Sequence, residues 1–262
     1  MTEKRTATRL AEGVTLIKGI DFECCIWLVE GSGSALLIES GLGVGDLRAE
    51  VEELTKLPYK VVNTHGHGDH SGGNYQFEQV YMHEKALPCA QTALEMTKMF
   101  ASPEKIEDIQ RQMTERPTEP VFVSEGHVFD LGGRKLEVIE TPGHTPGDIT
   151  LYDRENGLLF SGDCMLKYMD VLLVVPQTVS VECYAQSIHK LTALDNVKGF
   201  CSGHDRCIMP RSFLQDCADC ADEILAGTAE STEIDPGLPD VNRCLRSVHG
   251  DAAILYQPWN IR

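Results

Sequence analysis

The chain has 262 residues, with 23 Lys and Arg against 40 Asp and Glu, a formal charge of −17. Apolar residues make up 42% and charged residues 24%, enough for a core and too apolar for a disordered chain. Such acidity argues against a nucleic acid partner, which needs a basic surface, and no run approaches the ~18 apolar residues of a membrane span.

The N-terminal residues Met1-Thr2-Glu3-Lys4-Arg5-Thr6 carry no apolar leader, so a cytoplasmic location is expected. A small-molecule substrate is the expected partner, with no nucleic acid and no membrane, and a homodimer is compatible with this reading. In a reducing compartment the ten Cys stand as thiols. The one CxxC, Cys217-Ala-Asp-Cys220, has no second pair at zinc-ribbon spacing. Phe213, Cys217, Cys220 and Ile224 instead follow a helical core stripe.

Short β-prone runs are expected at Val14–Lys18, Ile26–Glu30 and Ala35–Glu39, then a helix over Asp46–Leu57 that stops before Pro58. Tyr59–Thr64 and Gln79–Met82 read as strands. From Glu84 to Pro117 the pattern turns helical, in two pieces divided at Ser102-Pro103. Strands follow at Val121–Phe129 and Lys135–Glu140. A hairpin joins Ile149–Tyr152 to Leu158–Phe160 around Asn156-Gly157. A helix capped by Ser180 runs to Leu194, then a strand Val197–Cys201, a helix Pro210–Leu225 and a closing strand Ala252–Tyr256. No linker interrupts the chain, so residues 1–262 read as one α/β domain. The helical stretch 84–117 reads as an insertion covering the active-site face.

The chemistry concentrates in His65-Gly66-His67-Gly68-Asp69-His70, directly after an apolar strand. Neutral imidazoles and carboxylates are zinc ligands, and the interleaved glycines let the backbone turn tightly enough for them to converge. Four ligands in six residues exceed what one tetrahedral ion takes from one loop, which suggests two ions. Three more apolar strands end in a Gly turn followed by a ligand: Thr141-Pro-Gly-His144-Thr-Pro-Gly147, Ser161-Gly-Asp163 and Ser202-Gly-His204. A lone His204 is as consistent with a core position as with a ligand. Four strand–Gly–ligand repeats are not. Ligands in α/β proteins gather where such strand ends meet.

These motifs, in this order over residues 14 to 205, resemble the metallo-β-lactamase-fold superfamily, nearest its glyoxalase II and acyl-homoserine lactonase branch. The resemblance implies a four-layer αββα sandwich, two mixed sheets flanked by helices, with a dinuclear site at one edge. His65, His67 and His144 would hold the first metal, Asp69, His70 and His204 the second, and Asp163 would bridge them. Two Zn2+ are the implied cofactors, with Mn2+ or Fe2+ as the other candidates. A metal-bridging hydroxide would then cleave a small ester, thioester or lactone, with Asp69 as the catalytic proton carrier.

His67 stands where the similar flavodiiron oxidoreductases carry Glu, which favours hydrolysis. Asp163 stands where the best-known β-lactamases carry Cys, and the adjacent Cys164 should point away from the site. A mono-iron persulfide dioxygenase or a hydrolase of a small phosphodiester are the alternatives. Glu39-Ser40-Gly41 replaces the Asp-Thr-Gly turn usual in this family, so either Glu39, one methylene longer, orients a ligand His in its place or the loop is shifted. Lys167 and Tyr168 are candidate oxyanion donors. Leu94, Met96, Met99, Phe100 and Met113, with Met165–Pro176, either wall an apolar pocket or pack the core. His83, His127, His189 and His249 read as structural or solvated. Residues 226–262 are only weakly basic (Arg243, Arg246, Arg262), unlike the basic C-terminal region of glutathione-thioester hydrolases.

Overall fold

A computed structural model describes residues 4–19, 24–238 and 241–262; residues 1–3 of the N-terminal segment lie outside it. The chain divides into two compact units, 1–138 and 139–262, with no linker between them. Among the described residues no helix is long and apolar enough to cross a membrane.

The first unit is built on a seven-stranded sheet whose strands lie in chain order. β1 (Thr6–Ala11), β2 (Val14–Lys18), β3 (Cys25–Glu30) and β4 (Ala35–Ile38) form an antiparallel meander. Beyond β4 the sheet turns parallel, through β5 (Tyr59–Val62), β6 (Gln79–Met82) and β7 (Glu119–Phe122). β3 and β4 are buried almost end to end, as their unbroken apolar runs require. β1 was not legible, because Thr-Ala-Thr-Arg is an exposed edge with no apolar alternation.

Parallel strands need crossovers. α1 (Leu47–Leu54) joins β4 to β5, its N-terminus capped by Asp46 Oδ1, which accepts from Ala49 N at 3.0 Å. It ends three residues earlier than the sequence suggests, with Thr55 extended and Leu54 exposed. α2 (Gly68–Ser71) lies between β5 and β6. The crossover from β6 to β7 is the helical stretch α3 (Leu87–Ala90), α4 (Ala93–Thr97) and α5 (Pro103–Glu115). The division at Ser102-Pro103 holds, with Ser102 Oγ accepting from Lys105 N. The expected strand Val121–Phe129 is two strands, β7 and β8 (Val128–Asp130). A turn at Gly126, φ +80°, breaks it, and His127 N donates there to Ser124 O. β7 is an edge strand, the one place where Pro120, which has no N–H, costs little.

β9 (Lys135–Glu140) pairs with β8 and carries the chain across the unit boundary. The second unit continues β9 with β10 (Ile149–Asp153), β11 (Leu158–Gly162), β13 (Gly199–Ser202) and β14 (Met209–Pro210) in one mixed sheet. The Asn156-Gly157 hairpin is present, with Gly157 at φ +75°. α6 (Val181–Thr192), capped by Ser180, and α7 (Ser212–Ala226) share one apolar core with the sheet. Cys217 and Cys220 are fully buried in that core, as the stripe required.

The second unit also holds a third mixed sheet, ordered β12 (Val171–Leu173), β17 (Ala252–Tyr256), β16 (Cys244–His249) and β15 (Ser231–Ile234). Of these only β17 was legible, being uniformly apolar and buried. β15 and β16 are largely polar strands, ordered by pairing rather than burial.

Candidate metal centre

Each unit carries one cluster of imidazoles and carboxylates at its strand ends. In the first, β5 runs out through Asn63 and Thr64 into His65–His70. His67 is extended (φ −62°, ψ 151°) and starts α2, so Asp69 and His70 lie on one helical turn. The tight packing of the crossover explains both glycines. A Cβ at Gly66 would stand 2.2 Å from Ala86 O, and one at Gly68 would stand 2.6 Å from Met96 Cβ.

Within this loop His65 Nε2 lies 3.0 Å from His67 Nδ1, and the His65 and His70 rings are 4.1 Å apart. His70 is fully buried. Its Nε2 is 3.4 Å from Asp69 Oδ2 and its Nδ1 3.3 Å from Glu39 Oε1. The His70 carbonyl accepts from Ser40 N, Ser40 Oγ and Asn63 Nδ2. Ring and backbone are thus both held.

Glu39 does what the substitution in its turn left open. It is 1% exposed, and its carboxylate accepts from Thr64 N and from Thr64 Oγ1 while facing His70. It stands at φ +73°, one of two non-glycine residues in that region among those described. The left-handed conformation costs an L-residue roughly 1–2 kcal/mol. Sequence reasoning missed Cys24, a buried thiol beside His70. Burial pushes its pKa well up, opposed by the imidazole. Only its place before a core strand could have signalled it.

In the second unit the turn after β9 presents His144. Asp148 locks that turn by accepting from Thr145 N at 2.7 Å and from Thr145 Oγ1. Full burial pushes the Asp148 carboxyl up to about 6, against the pull of His144 and the Thr145 bonds. His144 Nδ1 lies 2.8 Å from Leu172 O, which places the ring proton on Nδ1 and leaves the Nε2 lone pair toward Asp163. Asp163 follows β11, and its Oδ2 is 3.7 Å from His144 Nε2 and 3.4 Å from His204 Nε2. His204 follows β13 as expected.

A second residue that sequence reasoning missed, Asp205, accepts from Ser202 Oγ and from the backbone N–H groups of Lys167 and Tyr168. It ties the loop after Asp163 to the loop that bears His204. The Lys167 ammonium pairs with Asp251 at 2.5 Å, and the Tyr168 side chain is exposed. Cys164 is buried in the apolar core, where its thiol pKa is pushed well up, in keeping with a residue that does not bind metal. Of the expected apolar walls, Met165 and Leu173 belong to the core, while Met99 and Met169 are exposed.

These donors fit a divalent ion. Two donors about 2.1 Å from a tetrahedral zinc lie about 3.4 Å from each other. The separations within the two clusters run from 3.0 to 3.7 Å. Imidazole with carboxylate suits zinc, manganese or iron, and the fixed His144 tautomer is the one a metal ligand needs.

The two clusters define a protein with candidate metal-binding groups at the strand ends of a mixed α/β fold. Residues 20–204 match the family model of the Metallo-beta-lactamase superfamily, and the chain belongs to that superfamily. It is 33% identical over 162 residues to the human acyl-coenzyme A thioesterase MBLAC2, a match spanning 53% of this chain and 57% of that one. It is 28% identical over 149 residues to the hydroxyacylglutathione hydrolase GloC of Haemophilus influenzae, spanning 55% and 66%. The matches thus span less than two thirds of each of these relatives. Among solved structures, a metallo-beta-lactamase from Pontibacter korlensis aligns with TM-score 0.62 at 19% identity, over 84% of this chain and 99% of that one. A metallo-beta-lactamase family protein, TTHA1429 of Thermus thermophilus, aligns with TM-score 0.61 at 21% identity, over 83% and 82%. These two likenesses show the fold.

Proposed function

We propose that the chain is a metal-dependent hydrolase of acyl thioesters. In this reading His65, His67 and His144 would hold one divalent metal and Asp69, His70 and His204 a second, with Asp163 available to either. When bound, the ions supply a hydroxide at neutral pH and Lewis acidity toward the thioester carbonyl. The residues do the rest. Glu39 and the Leu172 carbonyl fix the rings of His70 and His144. Asp69 takes the proton of the attacking water at a carboxylate oxygen and passes it to the departing thiolate. No serine or cysteine nucleophile is needed, and no Gly-x-Ser-x-Gly elbow occurs in the sequence.

The observation that carries the reading is the pair of clusters with donors at ligand spacing, each with a ring locked from behind. Thioesters are favoured over esters and lactones by the two kinds of relative, a thioesterase and a hydroxyacylglutathione hydrolase. Simple acyl thioesters are favoured over glutathione thioesters by the C-terminal cations, since Arg243 pairs with Glu233 and Arg246 with Asp170. The test is a panel of acyl-coenzyme A, glutathione and lactone substrates assayed before chelation, after chelation and after zinc or manganese is returned. Metal-restored acyl thioester cleavage is expected. Cleavage untouched by chelation, or confined to lactones, overturns the proposal.

A further inference from the structure

The first unit contains a cleft of about 240 Å3 between α3, α4, α5 and the β6–β7 pair. Its walls are Met82, Leu87, Leu94, Met113, Pro117 and Pro120. Ser71 and Gly72, the residues that follow His70 at the end of α2, are part of its lining. The polar groups along it are already engaged inside the protein. Ser71 Oγ donates to Gly66 O and His67 O, Tyr75 OH to Gly43 O, and Thr118 Oγ1 to Asn74 O. Asn74 is bonded to Ser40 and Asn63. Gln91 is exposed. A cleft whose polar groups are satisfied offers a ligand apolar contact and little hydrogen bonding. A larger cleft of this unit is lined by Lys60, Glu78 and Glu119, around the N-terminal ends of the parallel strands, with Arg48 of α1. The ligand loop leaves from the other end.

We infer that this cleft seats the saturated acyl chain of the substrate, and that its volume sets the preferred chain length. This rests on the thioester reading above. A cavity of about 150 Å3 takes a six-carbon ring, so about 240 Å3 takes about eight to ten carbons. Met113 and Leu94, adaptable side chains on two helices of the crossover, form the walls that would set the limit.

Binding is measured separately from turnover. Butanoic, hexanoic, octanoic, decanoic and hexadecanoic acids are titrated calorimetrically into the protein as purified. Affinity should rise roughly fourfold per methylene up to eight or ten carbons and then level. Leu94→Trp should weaken octanoic acid more than tenfold and leave butanoic acid within twofold. If that variant fails to fold, Met113→Trp, at a 42% exposed lining position on α5, carries the same expectation. Chain-independent binding, or octanoic acid binding unchanged in the filled variant, overturns the inference. Length-dependent binding without any thioester turnover would uphold the cleft and overturn the thioester reading. Turnover equal for acetyl and octanoyl thioesters would do the reverse.

Discussion

Glu39→Gln tests how the chain holds its first cluster. The carboxylate is buried, accepts from Thr64 N and Thr64 Oγ1, and lies 3.3 Å from His70 Nδ1. Glutamine offers one acceptor oxygen and turns an N–H2 group toward at least one donor. A buried donor left unsatisfied costs about 1–3 kcal/mol. Loss of the group that orients a ligand imidazole typically weakens metal binding 10- to 100-fold, about 1.4–2.7 kcal/mol. Glu39→Gln should therefore bind zinc at least tenfold more weakly, and its metal-free form should be destabilised by about 1–3 kcal/mol. Glu39→Asp, one methylene shorter, should fall between the two, because it cannot reach Thr64 and His70 together from the same strained backbone. A competitive chelator titration, with denaturant unfolding of the stripped protein, reads both quantities. Zinc affinity within twofold of wild type in Glu39→Gln would refute the assignment.

Three further outcomes are expected. Because burial raises the Asp148 carboxyl to about 6 from an ordinary 3.8, its protonated form favours the folded state. That contribution is full below about pH 3.8 and is lost as pH rises through about 6. Relative to Asp148→Asn, the stripped wild-type protein should lose up to about 3 kcal/mol between pH 4 and pH 7; denaturant curves across that range that stay parallel would contradict this. Of the ten thiols, only Cys89, Cys183 and Cys207 are partly exposed, so a disulfide reagent at pH 8 should label three quickly and the other seven only on unfolding. Fast labelling of Cys24 or Cys164 would be the contrary result. Gly66→Ala would put a methyl 2.2 Å from Ala86 O, and should cost 1–3 kcal/mol or more of stability; a melting temperature unchanged within 1 °C would show that the crossover can shift.

The site was more legible than the fold around it. Gly-His and Gly-Asp after an apolar run stand out in a sequence, and the seven candidate residues follow β5, β9, β11 and β13. The supports were less visible. Asp148 and Asp205 act through loop geometry, and nothing in their local sequence separates them from surface carboxylates. Glu39 could be suspected from its turn, but its engagement of both Thr64 and His70 depends on a positive φ that a glutamate rarely adopts. In the fold, β2 to β6, the capped helices α1, α5 and α6, and the buried strands β9 to β11 followed from apolar period and capping. The edge strand β1 and the polar strands β15 and β16 did not, since pairing rather than burial orders them. The break between β7 and β8 turned on one glycine inside an apolar run.

The most direct test of the metal-dependent reading is elemental analysis of the purified protein beside its Asp69→Ala variant. Two zinc or manganese ions per chain are expected, falling toward one in the variant. One iron per chain with oxygen uptake on persulfides would instead mark a dioxygenase, and protein that takes up no divalent metal would contradict the account.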